Sequence, residues 1–237
     1  GGVGGAVTGM AAGMVVTVYL TRRVVRGEWR KYALYLNWRG MSQEWRVLVH
    51  YSLPTFLIFV LMGPVPWLTN TMLAHQPNGY SELGVLNAAV QWQGAIQFLP
   101  GIVCTAMIPV MSEKCGQGDI LGSLRVMMGM VKGVALIAIP LAVCLCLLSP
   151  VIMSGYGETF AQGYWTMVFL VLTGMLSAIM IPIGNFVMAS GLVWKSLFFN
   201  IGWIIAMLVA SWCLVHLGAN GLALARLIAA VVHAVLT

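Results

Sequence analysis

The sequence is dominated by apolar stretches that are each about as long as a membrane is thick. A helix needs ~20 mostly apolar residues to cross a bilayer, because lipid offers its backbone no hydrogen-bond partners. The sequence contains six such stretches, and a seventh is cut off by its end. They lie at residues 1–20, 53–74, 83–111, 127–149, 165–189 and 197–217, and the seventh at residues 218–237. We therefore predict an all-α, polytopic bundle of transmembrane helices.

Charge is too scarce for a soluble domain. Only 8% of the 237 residues are charged and 60% are hydrophobic, whereas soluble domains carry about 25% charged residues. No short basic start of the secretory type precedes the first apolar stretch. Since the sequence starts at Gly1 inside an apolar stretch and also ends inside one, we expect it to be a fragment of a longer protein.

The connections between the stretches alternate between basic and non-basic. Lys and Arg occur in residues 21–50, 112–126 and 190–196, and are missing from residues 75–82, 155–164 and 218–220. The positive-inside rule predicts this alternation and assigns the basic connections to the cytoplasm. Orientation, together with attraction to anionic membrane lipids, accounts for the net charge of +6 without a nucleic-acid partner.

The longest connection, residues 21–50, interleaves aromatic residues such as Trp29, Tyr32 and Trp38 with Arg and Lys. This composition is typical of a helix at the membrane surface. Two interpretations remain open, a linker between two helical lobes and an ordinary basic loop.

Two patterns concern helix geometry. Several stretches contain proline, which kinks helices and is common in the broken helices of transporters. Gly1, Gly5, Gly9 and Gly13 form a stripe of small residues that indicates close helix packing.

Amides lie at membrane depth in residues 83–111. Asn87, Gln91, Gln93 and Gln97 cover an arc of about 160° at ~100° per residue. With Trp92 they resemble a surface for sugar hydroxyls, although amides also join helices by hydrogen bonds. Other amides, at Asn70, Asn185 and Asn200, suit local hydrogen bonds and ligand contacts equally.

Arg226 is the charge placed farthest from a basic connection. An arginine inside a span is a candidate anion-binding residue, and the alternative is a side chain that extends to the outer interface. All six carboxylates lie in connections, so a cation-coupled site would need an acid from outside this sequence.

Nothing indicates an enzyme, a metal site or a cofactor. The five cysteines have no metal-ligand or redox spacing, and most suit the role of small apolar core residues. Phosphate-binding glycine loops and nucleophile motifs are missing as well.

Three segments resemble the polysaccharide-type flippases of the multidrug/oligosaccharidyl-lipid/polysaccharide exporter (MOP) superfamily. Residues 83–113, LGVLNAAVQWQGAIQFLPGIVCTAMIPVMSE, resemble their eighth helix. Residues 153–191, with SGYGETFAQG and a closing MASG, are similar to their ninth-to-tenth helix region. GANGLALARLIAA, residues 218–230, is similar to the start of their last helices.

The resemblance implies two six-helix lobes around a cavity and transport by alternating access. Residues 1–20 would be the last helix of the first lobe, residues 21–49 the cytoplasmic linker and residues 50–237 most of the second lobe. The implied cargo is an undecaprenyl-diphosphate-linked oligosaccharide, for O-antigen or related glycans at a bacterial inner membrane. Glycan polymerase and chain-length proteins are further expected partners. The binding residues expected from their placement are Arg226 for the diphosphate, and Asn87, Gln91, Gln97, Trp92 and Asn70 for the sugars.

Two other functions remain open. A multidrug antiporter of the same superfamily would carry amphipathic cations, and a membrane glycan polymerase or ligase would need catalytic groups on a large outer loop. The spans contain no carboxylate for a cation and the outer connections are short, so both rank below the flippase.

Overall fold

The computed structural model describes residues 3–31 and 45–237, and every regular element in these two ranges is helical. The chain divides into two compact units, Gly1–Arg46 and Val47–Thr237. The prediction of an all-α, polytopic helix bundle is confirmed.

The first unit contains one long helix, α1, at Val3–Lys31. The predicted first span ended at residue 20, but the helix continues through Arg22, Arg23 and Arg26. Arginine is a good helix former, so a change from apolar to basic residues need not end a helix. The remaining residues of the predicted surface helix and linker, 32–44, lie outside the described residues. Helix α2, Trp45–Val47, begins after them.

The second unit is built of helices joined by short turns. A π-helical turn, Leu48–Ser52, follows α2. The longer helices are α3 Leu53–Met62, α4 Pro64–Ala74, α5 Gly79–Gly116, α6 Ile120–Gly155, α8 Tyr164–Ala189, α9 Val193–Leu214 and α10 Gly218–Leu236. The short helix α7, Glu158–Ala161, precedes α8, and the 3-10 turn Val215–Leu217 precedes α10.

Helix α8 lies at the centre of the second unit. It packs against α5, α6 and α10, while α9 packs against α10 and α3. Small or β-branched residues of α8, including Thr173, Gly174 and Ala178, are buried at these contacts. Large apolar side chains on the outer helices, such as Leu136, Leu147 and Trp212, are exposed, as expected of surfaces that face lipid.

Within residues 3–31 and 45–237, five helical stretches are long and apolar enough to cross a membrane. The last of them, Val193–Leu236, covers two predicted spans. The chain reverses within it at Gly218, whose φ of 67° lies in the left-handed region that favours glycine. The chain is therefore a multi-pass membrane protein.

Helices α5 and α6 are longer than their predicted spans. They contain 38 and 36 residues, or about 57 and 54 Å at ~1.5 Å per residue, whereas the hydrocarbon core is ~30 Å thick. Helices α5 and α6 are therefore each longer than the hydrocarbon core is thick. Asp119 begins α6 by accepting a hydrogen bond of 2.9 Å from the Gly122 amide.

Proline does not break the long helices. Helices α5, α6 and α8 continue through prolines at 100 and 109, 140 and 150, and 182 respectively. A boundary does occur at Gly63, between α3 and α4, where Pro64 begins the second helix.

The two kinds of connection lie at opposite ends of the second unit. At the basic end, defined by residues 112–126 and 190–196, Cys115 Sγ lies 3.4 Å from Ser123 Oγ and 3.8 Å from Ser190 Oγ. At the acidic end, residues 75–82, 155–164 and 215–220 meet. There Glu82 Oε2 accepts a 2.7 Å hydrogen bond from the Ala219 amide. The alternation along the sequence thus becomes an asymmetry between two ends.

Candidate functional site

Arg226 and Asn70 form a contact between two helices. The Arg226 Nη2 atom of α10 donates a 3.1 Å hydrogen bond to the Asn70 Oδ1 atom of α4. Both side chains are half-buried. The structure therefore joins these two predicted site residues, which are 156 positions apart in the sequence.

The surroundings of Arg226 are apolar. Eight positions separate it from Gly218, the first residue of α10, which corresponds to about 12 Å along the helix. Its neighbours Leu222, Ala223 and Ala225 are buried. A guanidinium side chain has five N–H donors, and Asn70 accepts from one nitrogen. Among residues 3–31 and 45–237, no carboxylate pairs with Arg226, so the site has a positive charge and unused donors.

The amides of α5 do not form one surface. Asn87 and Gln91 are exposed, one turn apart. Gln97 is half-buried and lines a shallow groove whose other walls are mostly apolar, among them Phe98 and Ile102. Gln93 instead packs against α8, where a Cβ atom at Gly174 would lie 3.1 Å from Gln93 Cγ.

Trp92 lies on another side of α5. Its ring packs against the hydrophobic core, whereas Asn87 and Gln91 are exposed. Its indole Nε1 is buried and has no hydrogen-bond partner in the described part of the chain. Trp92 and the exposed amides therefore do not face one ligand together in this conformation.

Arg226 and Asn70 make no hydrogen bond to Asn87, Gln91 or Gln97 within the described ranges. The predicted site residues thus fall into three places: the α4–α10 contact, the exposed face and groove of α5, and the core.

Two other amides have local partners. Asn185 donates to the Cys104 carbonyl at 3.3 Å, and Asn200 donates to the Ser196 carbonyl at 2.8 Å. Both line a cavity of about 400 Å³ near the basic end, together with His233 and Trp203. This cavity could not be predicted from the sequence, because its residues come from four separate helices.

A second pocket lies at the acidic end, and the sequence did not predict it either. The lining residues are Asn78, Ser81, Glu82, Val85, Glu158, Thr159, Gln162, Gly163, Thr166, Leu217 and Asn220. Most of these carry polar side chains. The sequence does show that three connections have a polar composition. It does not show that they lie close together, because their proximity depends on the packing of α5, α8 and α10.

Two curated relatives are similar to parts of this chain. Both are named EPS I polysaccharide export inner membrane protein EpsE. The protein of Ralstonia solanacearum is 32% identical over 79 residues, which is 33% of this chain and 18% of the relative. The protein of Ralstonia nicotianae is 30% identical over 108 residues, which is 46% of this chain and 23% of the relative.

The chain thus covers less than a quarter of the length of either relative. No protein-family model matches the chain, and no solved structure matches it. The apolar helices and the two relatives together identify a multi-pass protein of the inner membrane.

Proposed function

We propose that this inner-membrane protein is part of a MOP-superfamily flippase that exports polysaccharide precursors. The cargo is an undecaprenyl-diphosphate-linked oligosaccharide, moved across the membrane by alternating access. Residues 1–20 and 50–237 then belong to the first and second lobes of a two-lobe transporter. The similarity to polysaccharide export proteins supports the class of cargo.

The observation that carries this proposal is that Arg226 lies inside a span and has no carboxylate partner among the described residues. An arginine inside a span is costly in lipid unless it has a polar partner or a function. Here the described partner is the neutral Asn70. The site therefore keeps its positive charge, and a diphosphate is the part of the cargo that guanidinium donors bind best.

The amides of α5 suit the sugar part of the cargo. Asn87 and Gln91 are exposed and Gln97 is half-buried beside a groove, so all three can meet hydroxyl groups. The oligosaccharide would pass along this face while the diphosphate stays near Arg226. Glycan polymerase and chain-length proteins would receive the flipped unit.

A multidrug antiporter of the same superfamily is the alternative. An amphipathic cation would be repelled by Arg226 and attracted by a buried acid. In the spans of the described residues, the acids lie towards helix ends, as Glu82 and Glu113 do. For the whole protein we propose binding and transport rather than an enzymatic reaction.

The test uses the full-length protein in a bacterium that lacks its own lipid-linked oligosaccharide flippase. The wild type, Arg226→Ala, Arg226→Lys and Arg125→Ala are expressed at matched levels, and the surface glycan ladder is measured on a gel. Arg125 is an exposed cation at the basic end and provides the control. Loss of charge-assisted hydrogen bonds worth ~1.5–3 kcal/mol predicts a ~10–100-fold weaker ladder for Arg226→Ala.

Arg226→Lys should retain part of the ladder, because it keeps the charge but loses the forked geometry. Equal ladders from Arg226→Ala and Arg125→Ala would exclude a role for Arg226 in cargo binding. Absence of any ladder, together with raised resistance to cationic dyes, would favour drug export.

A further inference from the structure

The pocket at the acidic end, hereafter the acidic-end pocket, is built by three connections. Its walls come from the start of α5 and the turn before it, the segment from α7 to the start of α8, and the start of α10 and the turn before it. Its volume is about 600 Å³. Binding sites for small molecules typically enclose ~300–1,000 Å³, so this space can hold a sugar unit.

The lining is rich in groups that both donate and accept hydrogen bonds. Asn78, Ser81, Thr159, Gln162 and Asn220 supply amides and hydroxyls, and sugar hydroxyls likewise donate and accept. Val85 and Leu217 add a small apolar surface, of the kind against which the C–H face of a sugar ring packs.

Some of the polar groups are already used by the fold. Glu82 Oε2 accepts from the Ala219 amide at 2.7 Å, and Asn220 Oδ1 accepts from Thr166 Oγ1 at 2.7 Å. These bonds hold the walls together. The Asn220 amide N–H groups are left for a ligand.

Glu158, unlike Glu82 and Asn220, is not used by the fold. Its side chain is exposed and has no hydrogen bond or ion pair with the described residues. The three connections contain no Lys or Arg to offset its charge. A ligand in the pocket thus meets a free carboxylate, which attracts an amine and repels an acid.

We propose that the acidic-end pocket binds one sugar unit of the exported glycan and prefers an amine-bearing or neutral unit to a uronic acid. This inference rests on the proposed function and adds a substrate class at the end where the cargo would leave. Glu158 binds an amine or hydroxyl donor, and Gln162 and Asn220 bind hydroxyl groups.

A divalent cation fits the pocket less well. Ca²⁺ takes about six to eight oxygen ligands, but Asn220 Oδ1 and one oxygen of Glu82 are already engaged. A metal site therefore becomes one outcome of the test.

The experiment measures sugar binding to the full-length protein in phosphatidylcholine nanodiscs by saturation-transfer NMR. The probes are glucosamine, N-acetylglucosamine and glucuronate at equal concentration and pH 7. Glucosamine should bind about tenfold more tightly than N-acetylglucosamine, the ratio that ~1.4 kcal/mol gives, and glucuronate should bind least. Glu158→Gln should remove the advantage of glucosamine, and Gln162→Leu should weaken both preferred probes.

Glu113→Gln is the matched control, because Glu113 is an exposed glutamate at the basic end and its neutralisation should leave all three affinities unchanged. The proposal is overturned if Glu158→Gln binds the probes as the wild type does, or if binding requires Ca²⁺ and disappears with a chelator. Arg226→Ala should retain probe binding in these discs. If the wild-type protein binds the probes but restores no glycan ladder, the result contradicts the flippase and not the pocket.

Discussion

Asn70 determines what Arg226 can do at the α4–α10 contact. An asparagine oxygen orients the guanidinium group at 3.1 Å but leaves its charge intact. A carboxylate in the same place would form an ion pair and would take the charge away from any ligand. An amide at position 70 is therefore compatible with anion binding at Arg226. The effect of replacing Asn70 can be measured.

If Arg226 binds a diphosphate cargo as proposed, Asn70→Asp should strongly reduce export while the protein remains folded. The new carboxylate would lie within ion-pair distance of Arg226 and compete with the diphosphate, which predicts a drop of about tenfold or more in the glycan ladder. Asn70→Ala is the control, because it removes the hydrogen bond without adding charge and should reduce the ladder less. A ladder of wild-type intensity from Asn70→Asp would show that the cargo does not need the free charge.

Asp119 is the second residue whose role can be measured, and it lies outside the membrane at the start of α6. Its pKa lies below the ordinary value, mainly because the carboxylate accepts the Gly122 amide hydrogen bond and secondly because of Lys114. Lys114 Nζ lies 3.3 Å from Asp119 Oδ2. A carboxyl group with a lowered folded pKa stabilises the fold above its unfolded pKa, and this contribution is lost as the pH falls through the folded pKa.

The protection factor of amides near Gly122, which is the intrinsic exchange rate divided by the observed rate, should therefore fall on acidification in the wild type. Asp119→Asn keeps an N-cap oxygen without a titrating charge, so this fall should disappear while the helix start remains protected. Asp119→Ala should expose the start of α6 at every pH. An identical pH response in wild type and Asp119→Asn would mean that Asp119 is not the titrating group.

At the scale of elements, the α5–α8 contact depends on a glycine. A Cβ atom at Gly174 would lie 3.1 Å from both the Cγ and the carbonyl oxygen of Gln93. Backbone atoms cannot move aside as a flexible side chain can, so a large residue must push the two helices apart. Since α8 packs against α6 and α10 as well, the disturbance would reach much of the second unit.

Gly174→Leu should lower the thermal unfolding temperature of the detergent-solubilised protein, since overpacking a core typically costs about 1–3 kcal/mol. Gly133→Leu in α6 is the matched control, because nothing lies within 4 Å of its Cβ position. The control should unfold near the wild-type temperature. If the two variants unfold together, the close approach of α5 and α8 does not limit stability.

Element lengths show which properties of the fold could be predicted from the sequence. The apolar stretches locate the membrane-crossing helices, because a run of lipid-compatible residues has no alternative to a helix. Their ends are less predictable, since charged residues also form helices, as Arg22 in α1 and Lys114 in α5 do.

The candidate site was predicted only in part, because helix periodicity does not reveal neighbours. Arg226 was recognisable from its position inside a span, and the structure adds its contact with Asn70. Trp92 and the α5 amides are close in sequence, yet Trp92 packs on the core side. The role of Glu82 at α10 joins positions 137 residues apart, which no local pattern can predict.

At the scale of the whole molecule, charge divides the second unit into two ends. Lys114, Arg125 and Lys195 lie at or near the basic end, whereas the acidic end has Glu82 and Glu158 without a Lys or Arg in its connections. The positive-inside rule then predicts that the basic end faces the cytoplasm. The acidic-end pocket would open on the opposite side, where the proposed function would release the glycan.

Single cysteines can test this orientation in the full-length protein, after its native cysteines have been replaced by alanine. Cysteines at Ser81 and Thr159 mark the acidic end, and cysteines at Gln117 and Leu192 mark the basic end; all four positions are exposed. A membrane-impermeant maleimide added to intact spheroplasts should label the first pair and should reach the second pair only after lysis. Labelling of the second pair in intact cells would reverse the orientation and place the acidic-end pocket on the cytoplasmic side, where it would meet the glycan before export.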